Sequence, residues 1–140
     1  MPAEYVMDTS AAGKLFRNEK ESDALRAWMK KELANGASFM VPPVFEFELR
    51  NLLVRTAKER GDDDEEEDEW DDYLRVRRLV RFVDDMDAEE TMTTAVLKGL
   101  TASDASYQLL TIGGRRLVTY DKDLLKTAKD ALSPGRASAA

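Results

Sequence analysis

Three short apolar runs, each ending at a turn and each followed by residues with helical periodicity, constrain this chain most. Tyr5-Val6-Met7 stops at Asp8-Thr9-Ser10, Ser38-Phe39-Met40-Val41 stops at Pro42-Pro43, and Arg116-Leu117-Val118-Thr119 stops at Tyr120-Asp121. Strands separated by helical stretches pair in parallel, because each crossover takes up a helix. The expected fold is therefore an α/β, three-layer α/β/α sandwich around a mainly parallel central sheet. Helices are expected from Thr9 or Ser10 to Arg17, around Leu25, Trp28, Met29 and Leu33 up to Asn35-Gly36, and from Val44 to Arg60. Further helical signals run through Trp70, Tyr73, Leu74, Val76, Leu79 and Val80, from Asp87 to Lys98, from Thr101 to Gly113-Gly114, and from Lys122 to Leu132. The prolines before Val44 and the glycines at 36, 61 and 99 are start and stop signals. Arg81 to Val83 is expected as a brief edge strand.

At 140 residues the chain suits one domain, expected over 1–132, with 133–140 as a flexible tail. Its chemistry is bounded by two absences: the sequence contains no cysteine and no histidine. Disulfides, thiolate nucleophiles, imidazole bases and the usual zinc ligand sets are all excluded. No apolar run approaches the roughly 20 residues of a membrane span, and Met1-Pro2-Ala3-Glu4 does not read as a signal peptide. A soluble, cytoplasmic protein is expected. Carboxylates, hydroxyls, lysine and arginine must supply any activity.

The net charge of −7 is misleading in bulk. Ten of the eleven residues from Asp62 to Asp72 are acidic, and outside that run 21 basic residues face 18 acidic ones, a net +3. The run is expected as a solvated acidic loop or frayed helix end, with Asp71–Arg75 as an i,i+4 ion pair. Docking of a basic partner, or mimicry of nucleic acid, are the other readings. Arg75, Arg77, Arg78 and Arg81 fit a solvated helix face better than a phosphate site. Gly113-Gly114 fits a helix stop, and Trp28, Phe45 and Phe47 fit a core or a dimer interface.

Asp8 and Asp121 both follow apolar strands, so a parallel sheet brings both to one edge, where ligands bind in open α/β folds. Each could also be no more than a helix cap. On a helical wheel starting at Val44, Glu48 falls at about 40°, inside an apolar arc, with Asn51 and Arg55 flanking it. A buried carboxylate there needs a cation or a Glu48–Arg55 pair. Asp104 opens a helix at Thr101-Ala102-Ser103-Asp104, a place the helix dipole alone justifies. If the four converge, each close pair repels by about 4 kcal/mol at an effective dielectric near 20. Protons or hard cations must then neutralise them, and Mg²⁺ or Mn²⁺ suits oxygen ligands best. Such ions support phosphodiester hydrolysis without an imidazole base.

Four blocks then carry a family resemblance. Val6-Met7-Asp8-Thr9-Ser10 resembles the opening strand of PIN domains. Pro42 to Leu53 is similar to their P-x₅-E-x-x-N-x-L segment, with Pro42, Glu48, Asn51 and Leu53 in register. Asp104-Ala105-Ser106-Tyr107 resembles their DA-x-Y helix start, and Leu117 to Leu124 their LVT-x-D-x-x-L segment. The blocks run in order from about residue 4 to 126, and the size resembles that of VapC-type toxin ribonucleases of VapBC toxin–antitoxin pairs. The resemblance implies a Mg²⁺- or Mn²⁺-dependent endoribonuclease acting on RNA, a homodimer, and a cognate antitoxin partner. It implies that Asp8, Glu48, Asp104 and Asp121 form the catalytic, metal-binding quartet. Thr119 would be the neighbouring hydroxyl, Asp123 an auxiliary ligand, Asn51 a further auxiliary residue, and Ser10 the hydroxyl that holds Asp8 through a turn bond. A non-catalytic PIN-like module whose acids bind a basic protein is the alternative. A phospho-receiver domain fits poorly, because the adjacent acidic pair is missing, and an Asp-x-Asp phosphatase fails at Ser10.

Overall fold

The computed structural model of the chain describes residues 2–60, 66–128 and 130–136, with 60 and 66–68 described by backbone alone. The elements in order are β1 (Glu4–Met7), α1 (Thr9–Phe16), α2 (Ser22–Ala34), β2 (Ser38–Val41), α3 (Val44–Arg60) and α4 (Glu66–Leu79). They continue as β3 (Val80–Phe82), α5 (Ala88–Lys98), α6 (Ala102–Leu110), β4 (Arg116–Val118) and α7 (Lys122–Thr127). The strands form one all-parallel sheet in the order β3-β2-β1-β4, flanked by helices, in agreement with the expected three-layer α/β/α fold.

Why the strands read as unbroken apolar runs is now clear. With helices on both faces, successive side chains must all be buried, and Tyr5, Val6 and Met7 are. Val6 pairs with Met40 on one side and with Leu117 on the other. Leu25, Phe39, Phe45, Leu49, Leu117 and Leu124 fill the core around them. Trp28 closes one end, with its ring centroid 4.9 Å from that of Tyr5. Phe45 is core, as expected, whereas Phe47, two residues on, points outward and is exposed.

Strand order reverses between β1 and β4. The chain builds outward from β1 through β2 to β3, then crosses back to lay β4 on the other side of β1. That reversal opens a crevice at the carboxyl ends of β1 and β4, which places the functional edge.

Several expectations change. Of the two readings of the acidic run, a solvated loop or a frayed helix end, the described part is helical from Glu66; its first residues lie outside the described ones. Glutamate is a good helix former, and the positive end of the helix dipole favours acids in the first turns. The ion pair there is Arg75 with Asp72, at 3.8 Å, one position along from the Asp71 partner expected.

The last helix ends at Thr127 instead of Leu132, and the segment expected as a loose tail from 133 is docked through Arg136. Residues 137–140 lie outside the described ones. The cause is the open edge of β4, whose backbone groups need partners. Leu132 donates its N–H to the Leu117 carbonyl (2.7 Å) and accepts from Thr119 N (3.0 Å). The Tyr120 hydroxyl then donates to the Pro134 carbonyl at 2.7 Å. Helix α6 also stops early, at Leu110, and Gly113 and Gly114 form the turn into β4 at φ values of 98° and 97°.

Leu49 is fully buried on the inner face of α3, one residue from Glu48. Leu49→Ala is expected to lower unfolding stability by about 2–5 kcal/mol, read as a shift of the urea midpoint at constant slope. A shift below half a kcal/mol would mean that α3 is not packed as described.

Candidate active site

Asp8 leaves the carboxyl end of β1 and caps α1, accepting the Ala11 N–H at 3.1 Å through Oδ1. The same oxygen accepts the Ser10 hydroxyl at 2.7 Å, which is the turn bond expected for Ser10. Its other oxygen, Oδ2, accepts the Thr119 hydroxyl at 2.6 Å. Thr119 is fully buried just past β4, and its Oγ1 in turn accepts the Asp121 N–H at 3.0 Å. Ser10 Oγ accepts the Tyr120 N–H at 2.9 Å. Two hydroxyls therefore tie the end of β1 to the end of β4. Asp121 caps α7, accepting from Asp123 N (2.8 Å) and Leu124 N (3.3 Å), both through Oδ1. The cap and the cluster are not rival explanations, because both acids serve as caps within the crevice.

Glu48 arrives from α3, the helix after β2. Its Oε1 accepts the Thr9 hydroxyl at 3.0 Å and the Tyr107 hydroxyl at 2.5 Å. The expected Glu48–Arg55 pair is not what balances it. Asn51 and Arg55 both lie on the exposed side of α3, so the wheel placed them near Glu48 in angle but not in depth. The hydroxyls of Thr9 and Tyr107 are the residues that sequence reasoning missed. Tyr107 stands one helical turn after Asp104, and that i,i+3 spacing on one face was the available signal.

The acids act on one another's proton affinity. Asp8 is 4% exposed, and burial pushes its carboxyl up to about 6, with Asp121 adding to the rise and the bonds from Thr119, Ser10 and Ala11 opposing it. The Asp104 carboxyl is also raised, first by burial and then by the negative charges of Asp121 and Glu48; Thr101 lowers it and Asp123 raises it further. Burial and the Glu48 charge push the Tyr107 hydroxyl far up, so it stays protonated and donates. The structure thus brings Asp8, Glu48, Asp104 and Asp121 into one electrostatic neighbourhood, with Ser10, Thr119 and the exposed Asp123 around it.

The donors are all hard oxygens, which suits Mg²⁺ or Mn²⁺. Among the described residues no group of three or more acidic side chains stands ready to ligate one ion directly. Mg²⁺ binds through one or two carboxylates and keeps several waters. The like charges around buried Asp8 are what a cation would neutralise.

Glu46, the other acid of α3, has a structural role. It accepts from Arg50 (3.0 Å), Tyr73 and Arg77 (3.5 Å), fastening α3 to α4. Arg77 also lies over the Phe82 ring, 4.4 Å from its centroid. These contacts support the plain reading of the arginine-rich helix face.

The family model described as PIN domain matches residues 5–130. The crystal structure of PAE2754 from Pyrobaculum aerophilum is similar in fold, with a TM-score of 0.72 and 28% identity, covering 94% of this chain and 83% of that one. No curated protein matches the sequence.

The raised Asp8 carboxyl has a consequence for stability. Unfolded, the group loses its proton near 3.8; folded, it keeps it to about 6. The native state binds the extra proton between those values, so this contribution to stability is present below about pH 4 and is lost as the pH rises through about 6. Without divalent ions, Asp8→Asn is expected to melt above wild type at pH 7 and to lose that advantage toward pH 4. Calorimetry across that range checks it, and an Asn variant melting no higher at neutral pH would show that the buried charge carries no penalty.

Proposed function

The chain belongs to the PIN domain family, and on that footing we propose that it is a Mg²⁺- or Mn²⁺-dependent endoribonuclease, the toxin of a VapBC-type toxin–antitoxin pair. PIN domains are nucleases in general and typically use divalent ions. The observation that carries the finer reading is the meeting of Asp8, Glu48, Asp104 and Asp121 at the crevice between β1 and β4, with Asp8 buried and locked by hydroxyls.

Each residue has a task. Asp8, Asp104 and Asp121 would hold the ion, directly or through water, and Glu48 would complete the shell. Thr119 and Ser10 fix the Asp8 carboxylate in one orientation, since both of its oxygens accept bonds. Thr9 and Tyr107 both donate to Oε1 of Glu48 and anchor that oxygen. A bound divalent ion supplies Lewis acidity and an activated water for phosphodiester hydrolysis. The chain's lack of histidine and cysteine is no obstacle to that chemistry.

Substrate and partners follow from the surface. Outside the acidic run the net charge is +3, compatible with an RNA strand. Phe47 and Val54 lie seven residues apart on α3, and Met92 and Val96 four apart on α5, all more than half exposed. Apolar side chains so placed support a homodimer. The antitoxin partner rests on the ordered PIN blocks and the chain's size. No described helix is long and apolar enough to cross a membrane, and action on RNA in the cytoplasm is the proposed setting.

Asp8→Asn and Asp121→Asn are each expected to reduce Mn²⁺-dependent cleavage of single-stranded RNA by about a hundredfold or more while leaving the circular dichroism spectrum unchanged. Cleavage at wild-type rates by both variants would overturn the mechanism. Mn²⁺ at about a hundred times its Kd is expected to stabilise wild type by about 2.7 kcal/mol. No shift in melting temperature would point instead to a site that holds no ion.

A further inference from the structure

Away from the acidic edge, a cavity of about 490 Å³ opens between α5, α6, β4 and the segment after α7. Its size is that of a small-ligand site. Gln108 lines it and is 6% exposed. The Gln108 Oε1 accepts a bond from Lys98 Nζ at 3.1 Å, which identifies the oxygen end of the amide. The other end, Nε2, has no hydrogen-bond partner among the described residues. A buried amide N–H₂ without an acceptor is rare in folded proteins.

The surrounding residues narrow the ligand. Leu109, Leu117, Ala128 and Ala131 give the cavity an apolar floor. Lys98, Arg115 and Arg116 bring three positive charges to it, against Glu90, Asp130 and the Glu4 that pairs with Arg115. Both arginines are already oriented: Arg115 Nη1 donates to the Leu110 carbonyl (3.2 Å), its Nε lies 3.4 Å from Glu4, and Arg116 Nε donates to the Asp130 carbonyl (2.8 Å). An apolar floor, the buried Gln108 Nε2 and Arg115 Nε donors, and the cations Lys98 and Arg116 suit a flat heterocycle bearing an acceptor and joined to a phosphate. Gln108 also follows Asp104 by four residues on α6, so both lie on one helix face about 6 Å apart along the axis. Glu90, Thr94 and Lys98 share a face of α5 other than the one carrying Met92 and Val96.

We propose that this cavity is a nucleotide subsite for the RNA strand, where Gln108 Nε2 donates to a base acceptor and Lys98, with the two arginines, holds the adjoining phosphate. The assignment rests on the ribonuclease reading and adds a second contact to it, one helical turn along α6 from Asp104.

The test measures binding with cleavage switched off. A labelled ten-nucleotide single-stranded RNA is titrated by fluorescence anisotropy in chelator against wild type, Lys98→Ala and Gln108→Leu. Lys98 is exposed, so its variant folds whatever Gln108→Leu does. Each variant is expected to bind about threefold to tenfold more weakly. Lys98→Ala should also flatten the log–log salt dependence by about 0.7. Gln108→Leu is expected to keep or raise the melting temperature, because it removes an unsatisfied buried donor. Uridine monophosphate is expected to shift amide resonances of residues 108–117 well beyond what inorganic phosphate does. Wild-type affinity in both variants, weaker binding only in step with lost stability, or equal shifts from inorganic phosphate would each overturn the subsite. Failure of the nuclease reading would appear separately, as no cleavage by wild type in Mn²⁺.

Discussion

One hydroxyl organises this protein's functional edge. Thr119 donates to Asp8 Oδ2 and accepts from the Asp121 backbone, so a single buried side chain fixes the acid after β1 relative to the acid after β4. The parallel pairing of those strands sets its position, since Asp8 N also donates to the Val118 carbonyl at 3.2 Å. The return of Leu132 onto the free edge of β4 holds the same strand from the other side. Without that brace the end of β4 would be an unpaired edge, and Thr119 would not be held in place.

Such locking is what a cluster of like charges requires. Burying Asp8 beside Asp121 costs free energy that a carboxylate in water would not bear, which is why its proton affinity rises. The rest of the core, from Phe39 through Leu49 to Leu124, supplies the rigidity that keeps the acids together. Charge is also divided in space. From Glu66 on, the dense acidic run belongs to α4, while Asp8 and Asp121 lie at the crevice, so the bulk net charge does not describe the remaining surface.

Much of this was legible before any coordinates. Buried parallel strands show as apolar runs with no alternation, and Tyr5–Met7 and Ser38–Val41 were visible for that reason. Helix starts carry their own caps, so Asp8, Thr101 and Asp121 marked boundaries as well as chemistry. Asp8, Glu48, Asp104 and Asp121 could be proposed because each follows a strand or sits at a helix position whose depth a wheel can indicate. Depth was also where the wheel failed. Angle alone set Asn51 and Arg55 beside Glu48, yet which helices pack against α3 decides what is buried, and both residues face outward. Thr9 and Tyr107 were missed because their bonds to Glu48 span 39 and 59 residues of sequence.

The alternation of apolar runs with helical periods dictated a parallel α/β fold, and residue types alone dictated an oxygen-only chemistry. Both follow from local rules: side-chain period, capping preference and the ligands that residues can offer. Which strand lies beside β1 was not written locally. The order β3-β2-β1-β4 arises from packing across the whole chain, and it alone sets Asp121 next to Asp8 and leaves Gln108 facing a cavity. The docking of residues 131–136 and the depth of Glu48 were settled in the same way. They depend on contacts between distant segments, whose free energies no window of sequence contains.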